Sequence, residues 1–121
     1  MARKILTVDD SKTMRQMVSF TLKGAGFEVI EAEDGLNALE VLGNDKVDLV
    51  ITDLNMPNMD GFGLIDSLRS HDVHKFCPIL LLSTEGSEAL RLAAKDRGAT
   101  GWIVKPFNPE KLMRIISKVL G

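Results

Sequence analysis

Five short apolar runs, at residues 4–8, 27–30, 48–52, 79–82 and 101–104, recur along the chain with helical patterns between them. Three of them hold the strings Ile5-Leu6-Thr7-Val8, Leu49-Val50-Ile51 and Ile79-Leu80-Leu81-Leu82, which are near-continuous rather than alternating. A strand reads this way when both of its faces are covered, as in a parallel sheet between helix layers. Between the first two runs, Met14, Met17, Val18, Leu22 and Ala25 keep the spacing of one helix face, and the pattern closes at Gly24 and Gly26. After the last run, Leu112, Ile115, Ile116, Val119 and Leu120 follow Pro109, which suits a helix's first turn. Leu39/Leu42, Ile65/Leu68 and Ala89/Ala93 mark three weaker helices. The fourth helix, about residues 87–97, has the poorest apolar stripe, and the greatest mobility is expected there. The order βαβαβαβαβα predicts an α/β fold: a doubly wound parallel five-stranded sheet, (βα)5, in a three-layer sandwich with right-handed crossovers.

A chain of 121 residues, 45% of them apolar, suits one domain over residues 1–121 with its own core. The formal charge of −2 gives no basic face for nucleic acid. The single cysteine, Cys77, cannot form an internal disulfide, and its neighbours Phe76, Pro78 and Ile79 suggest a half-buried small hydrophobe. The opening Met1-Ala2-Arg3-Lys4 leads into an apolar run of four before Asp9, short of the roughly 7–15 residues of a secretion signal. No stretch approaches the about 20 apolar residues of a membrane span. A cytoplasmic protein that neither inserts in a membrane nor binds nucleic acid is expected.

In such folds chemistry gathers beyond the carboxyl ends of the strands. Asp9 and Asp10 close the first run, Asp53 the third, Ser83 and Thr84 the fourth, and Lys105 with Pro106 the fifth. Singly, each has an ordinary explanation. Asp9, Asp10 or Ser11 could cap the first helix, Ser83 could serve a turn, and Lys105 could be solvated. Together they do not, because three carboxylates crowded at one edge repel unless a cation compensates. A hard dication on oxygen ligands, Mg2+ foremost, opposite Lys105 resolves that repulsion. The same set suits phosphoryl transfer: Asp53 as nucleophile, with Mg2+, Lys105 and Ser83 each taking one phosphoryl oxygen.

The strings Val8-Asp9-Asp10-Ser11, Thr52-Asp53-Leu54-Asn55-Met56-Pro57-Asn58-Met59-Asp60-Gly61, the Ser83 strand end and Val104-Lys105-Pro106-Phe107 closely resemble the receiver domains of two-component response regulators. The likeness spans essentially the whole chain in order, and is greatest to single-domain chemotaxis members. It implies a flavodoxin-like strand order, 2-1-3-4-5. It further implies that Asp53 is the phosphoacceptor, and that Asp10, Asp53 and the Asn55 carbonyl bind Mg2+, with Asp9 helping through water and Mn2+ able to substitute. Lys105, before a cis Lys105–Pro106 bond, would contact the phosphoryl group. Ser83 and Trp102 would form the switch, standing where threonine and a smaller aromatic are commoner. Thr84 stands where a smaller residue is frequent. Asn55 and Glu85 would tune self-dephosphorylation, in a pairing that resembles fast-hydrolysing chemotaxis members.

The implied protein is a monomeric phosphoacceptor with self-catalysed phosphorylation and dephosphorylation, not a turnover enzyme. Its phosphodonor would be a histidine kinase of the chemotaxis type. Its output would be a flagellar motor switch or a phosphatase, with a phosphate sink or phosphorelay intermediate as the alternative. A phosphatase of the haloacid-dehalogenase type would carry its nucleophile on the first strand, and a flavin carrier would need a Ser/Thr/Gly-rich loop where Asp9 and Asp10 stand. His71 and His74 read as loop histidines, the run 31–34 as a turn with charge for the second helix, and the six methionines as packing residues.

Overall fold

The computed structural model describes residues 2–121, so Met1 of the opening segment lies outside the described residues. Five strands alternate with five helices: β1 (Lys4–Val8), α1 (Lys12–Gly24), β2 (Glu28–Ala32), α2 (Gly35–Leu42), β3 (Leu49–Thr52), α3 (Gly61–Arg69), β4 (Ile79–Ser83), α4 (Glu88–Arg97), β5 (Gly101–Val104) and α5 (Pro109–Leu120). The sheet runs β2-β1-β3-β4-β5 with every pair parallel, so all five strands end at the same edge. This is the flavodoxin-like order that the resemblance implied.

The near-continuous apolar runs are explained by which way alternate residues point. Leu6, Val8, Val50, Ile79 and Leu81 pack on one face of the sheet under α2, α3 and α4, which contribute Ala38, Leu42, Leu64, Ile65, Leu68 and Ala94. Ile5, Leu49, Ile51, Leu80 and Leu82 pack on the other, against Val18 and Leu22 of α1 and Leu112 and Ile116 of α5. Every residue of β3 and β4 is buried. A fully buried side chain of this size stabilises by roughly 1.5–3 kcal/mol, so the central strands anchor the fold.

Each helix begins on a side-chain cap. Ser11, Asp34, Asp60 and Ser87 accept from a backbone N–H three residues on, and Asn108 accepts from those of Glu110 and Lys111 just ahead of Pro109.

The structure corrects several details of the sequence reading. β2 is Glu28–Ala32 rather than 27–30, because this edge strand pairs Glu31 with Thr7, and Glu31 meets Arg15 at 3.0 Å. Only Asp34 of the run 31–34 therefore caps α2. Met17 is 51% exposed and Ala25 is an exposed C-cap, so the buried stripe of α1 is narrower than its spacing suggests. In α4 the inward residues are Leu90 and Ala94, not Ala89, and only Ala94 is fully buried. His74 lies in a turn, as its reading as a loop histidine expects, but it is buried there, with Nε2 2.9 Å from the Gly43 carbonyl at the end of α2. Cys77 is half-buried as expected, and burial pushes its thiol up to about 11.

One arginine ties three segments together. Arg69, at the end of α3, donates to the Gly98 carbonyl after α4 from Nε at 3.1 Å and Nη2 at 2.8 Å. Its Nη1 donates to the Lys75 carbonyl at 3.1 Å and the Cys77 carbonyl at 2.7 Å, ahead of β4. Arg97, the last residue of α4, pairs with Asp66 and lies over the Phe62 ring.

The turn from β3 into α3 is equally close-set. A Cβ built on Gly61 would stand 2.5 Å from the Asp53 carbonyl oxygen and 3.0 Å from Leu54 Cα. Backbone cannot yield as a side chain can. Gly61→Ala is expected to destabilise the chain by about 2 kcal/mol, a fall of roughly 10 °C in melting temperature by calorimetry. An unchanged melting temperature would show that the turn has slack.

Candidate functional site

Three backbone hydrogen bonds just past the strand ladders place the polar residues. Asp9 N–H donates to the Ala32 carbonyl at 3.1 Å, Asp53 N–H to the Val8 carbonyl at 2.9 Å, and Lys105 N–H to the Ser83 carbonyl at 2.7 Å. Each residue is therefore held at one step beyond a strand end. Asp10 follows Asp9 into the loop ahead of the Ser11 cap.

The side chains converge. Carboxylate oxygens of Asp9, Asp10 and Asp53 lie within 4.8 Å of one another. Lys105 Nζ sits 3.0 Å from Asp9 Oδ2 and 3.4 Å from Asp53 Oδ2, with 8% of its side chain exposed. Asp9 is only 4% exposed, and its Oδ1 accepts from the Ser11 N–H at 2.9 Å. Asp53 is half-buried, and its Oδ1 accepts from the Leu54 N–H at 2.8 Å. Asp10 is exposed.

Burial raises the pKa of Asp53 above the usual carboxylate value. Lys105 opposes that shift, Asp9 adds to it, and the Leu54 N–H works against it. Three carboxylates against one ammonium leave two negative charges in one cluster. A divalent cation balances that sum, and oxygen ligands of this hardness suit Mg2+ or Mn2+.

The residues that the resemblance singled out for switching and tuning form a second connected group. Ser83 is fully buried at the end of β4, and its Oγ accepts from the Glu85 N–H at 3.2 Å. The Glu85 carbonyl accepts from Trp102 Nε1 at 2.8 Å, and Glu85 Oε2 accepts from Asn55 Nδ2 at 3.3 Å. Glu85 thus touches Ser83, Trp102 and Asn55 at once. Thr84 beside it is exposed. The Lys105–Pro106 bond is cis. Among the residues picked from the sequence, Asp9, Asp10, Asp53 and Lys105 make one cluster, and Ser83, Asn55, Glu85 and Trp102 make the other.

The model of the response regulator receiver domain matches residues 5–117. The chain belongs to this family. Receivers like it include the chemotaxis protein CheY1 of Helicobacter pylori, 43% identical over 98% of this chain and 97% of that protein. The CheY homolog of Campylobacter jejuni is 41% identical over 98% of this chain and 92% of its own length. Among solved structures, the chemotaxis response regulator CheY4 of Vibrio cholerae superposes with a TM-score of 0.94 at 48% identity, covering 99% of this chain and all of that one. The receiver is accordingly a signalling domain of the two-component kind, and it carries an acidic cluster suited to a metal.

Two residues next to the receiver's acidic cluster escaped the sequence reading. Asp34, read only as charge ahead of a helix, accepts from Asn58 Nδ2 at 2.8 Å across 24 residues of sequence. Asn58 lies in the string that carries the family resemblance, yet nothing in its type announced a bond to another loop. Hydrogen bonds from the Asn37 N–H first, then Asn58, hold the Asp34 carboxyl below its usual pKa.

Among the described residues no helix is long and apolar enough to cross a membrane.

Proposed function

We propose that this receiver takes a phosphoryl group from a chemotaxis-type histidine kinase onto Asp53, with Mg2+ bound at Asp9, Asp10, Asp53 and the Asn55 carbonyl. The observation that carries the reading is the cluster of three carboxylates facing one buried ammonium, two negative charges short of balance. Bound Mg2+ would neutralise those charges and take one oxygen of the incoming phosphoryl group.

The chain's own residues supply the rest. A carboxylate oxygen of Asp53 attacks phosphorus, and an acyl phosphate bond forms. The phosphorus–nitrogen bond of the donor phosphohistidine breaks, and its electron pair returns to the imidazole. Lys105, already 3.4 Å from Asp53 Oδ2, pairs with a second phosphoryl oxygen. The Ser83 hydroxyl donates to a third. Asn55 and Glu85 flank the approach of the water that later attacks phosphorus, breaking the acyl phosphate bond to restore the Asp53 carboxylate and release inorganic phosphate. No turnover substrate is involved, and the output is a changed binding face.

Signalling runs through the Ser83–Glu85–Trp102 group. A hydrogen bond from Ser83 to a charged oxygen is worth about 1.5–3 kcal/mol, enough to bias two states a few kcal/mol apart. When Ser83 turns toward the phosphoryl group, it gives up the Glu85 N–H, and the segment bearing Trp102's acceptor is free to move. The names of the similar proteins support a role in chemotaxis; on this reading the output partner is a flagellar motor switch or a phosphatase, and the setting is the cytoplasm.

The test uses Trp102, the single tryptophan. Adding Mg2+ and beryllofluoride should change its fluorescence in the wild type and not in Asp53→Asn. Ser83→Ala should retain less than half of the change. A full response in Ser83→Ala would remove the hydroxyl as trigger, and an equal response in Asp53→Asn would remove Asp53 as acceptor.

A further inference from the structure

Three residues past Asn55 the chain makes a tight turn. The Met59 N–H donates to the Pro57 carbonyl at 2.7 Å, and Asn58 between them has φ 66. Asn58 is the one non-glycine residue at positive φ among the described residues. Such three-residue turns are rare and strained, and persist where the surroundings over-determine them.

The surroundings here are the start of α2. Asn58 Nδ2 donates to Asp34 Oδ2 at 2.8 Å, and the Gly35 N–H donates to the Met59 carbonyl at 3.0 Å. Asp34 is 5% exposed, and its Oδ1 accepts from the Asn37 N–H at 2.8 Å, so both oxygens are committed. A Cβ on Gly35 would stand 2.6 Å from Met59 Cγ and 2.8 Å from the Met59 carbonyl oxygen, so the two loops approach as closely as glycine allows. Asp34, Pro57 and Asn58 line one cleft of about 320 Å3 with Asp10 and Glu33, which puts the clamped turn beside the acidic cluster.

We propose that Asp34 and Asn58 are positioning residues for the divalent cation: their hydrogen bond holds the strained turn, and through it keeps the Asn55 backbone beside Asp10 and Asp53. The inference rests on the cation site proposed above. A carbonyl ligand has no rotamers with which to adapt, so its place is set by the backbone alone. Mg2+ demands near-ideal octahedral geometry, and a ligand that drifts is lost to it. Groups that orient metal ligands typically govern 10–100-fold in affinity.

Asn58→Gly tests this without a change of charge, since glycine keeps the positive φ freely and deletes only the side-chain bond. Asp34→Ser breaks the same bond from the other end while retaining a good cap for α2. Mg2+ titrations followed by amide NMR read affinity and folding together. Both variants should stay folded and bind Mg2+ about tenfold more weakly. The double variant should be no weaker than the weaker single, because one bond is removed twice. Labelling by acetyl phosphate should recover at saturating Mg2+. Wild-type affinity in Asn58→Gly overturns the inference, as do losses that add in the double variant. A wild-type chain that takes up no Mg2+ fails the underlying site instead, and the inference with it.

Discussion

Incubated with Mg2+ and acetyl phosphate, the wild-type chain is expected to acquire a label stable in acid and lost to hydroxylamine, while Asp53→Asn stays at background. Asparagine keeps the size and the hydrogen bond from the Leu54 N–H but has no nucleophilic oxygen. The neighbouring carboxylates do not stand in for it. Asp9 is buried with one oxygen on the Ser11 N–H and the other on Lys105, and Asp10 lies in the loop beyond the strand. Comparable labelling of the variant would reject Asp53 as acceptor. The same substitution has an expected effect on stability. Burial lifts Asp53's pKa above its unfolded value, so the ionised form destabilises the fold at neutral pH. That penalty fades as pH falls through the raised pKa and is gone below the unfolded value of 3.8. Without metal, Asp53→Asn should therefore melt higher than wild type at pH 7, with the difference closing in acid.

Asp10→Asn should weaken Mg2+ binding at least tenfold, read by titration, and slow labelling in proportion at limiting Mg2+. The fold should not suffer. Asp10 is exposed, caps nothing (Ser11 is the cap of α1) and stands within 4.8 Å of two other carboxylates. Removing its charge relieves like-charge repulsion, so the melting temperature without metal should be equal or higher. A lower melting temperature with unchanged Mg2+ affinity would make Asp10 a structural residue.

Much of this was legible from residue types alone, for a physical reason. Strands covered on both faces must be apolar throughout, and β1, β3 and β4 announce themselves by it. Parallel pairing sends every strand end to one edge, so residue order alone gathers Asp9, Asp53, Ser83 and Lys105. Edge strand β2 was shifted because Glu31 belongs to the ladder through its pairing with Thr7 and Arg15, which hydropathy does not register. The stripe of α4 was misplaced because a short helix with one fully buried residue carries almost no periodic signal. The Asp34–Asn58 bond was out of reach, since it joins two loops through a backbone conformation that no local pattern encodes.

Arg69 gives α4 unequal footing. Its guanidinium seizes the Gly98 carbonyl twice, and the Asp66–Arg97 pair adds a second fastening at that end. Toward the other end, the segment 84–89 is exposed throughout, and its links inward are the bonds around Glu85 that the switch would rearrange. Ten helical residues span about 15 Å. A rod of that length, pinned at its carboxyl end, swings most at its amino end, nearest Ser83 and Glu85. On the proposed switch, displacement of α4 would be a lever stroke about the Arg69 anchor, and a small shift at Glu85 would reorient the outer face of the helix rather than translate it.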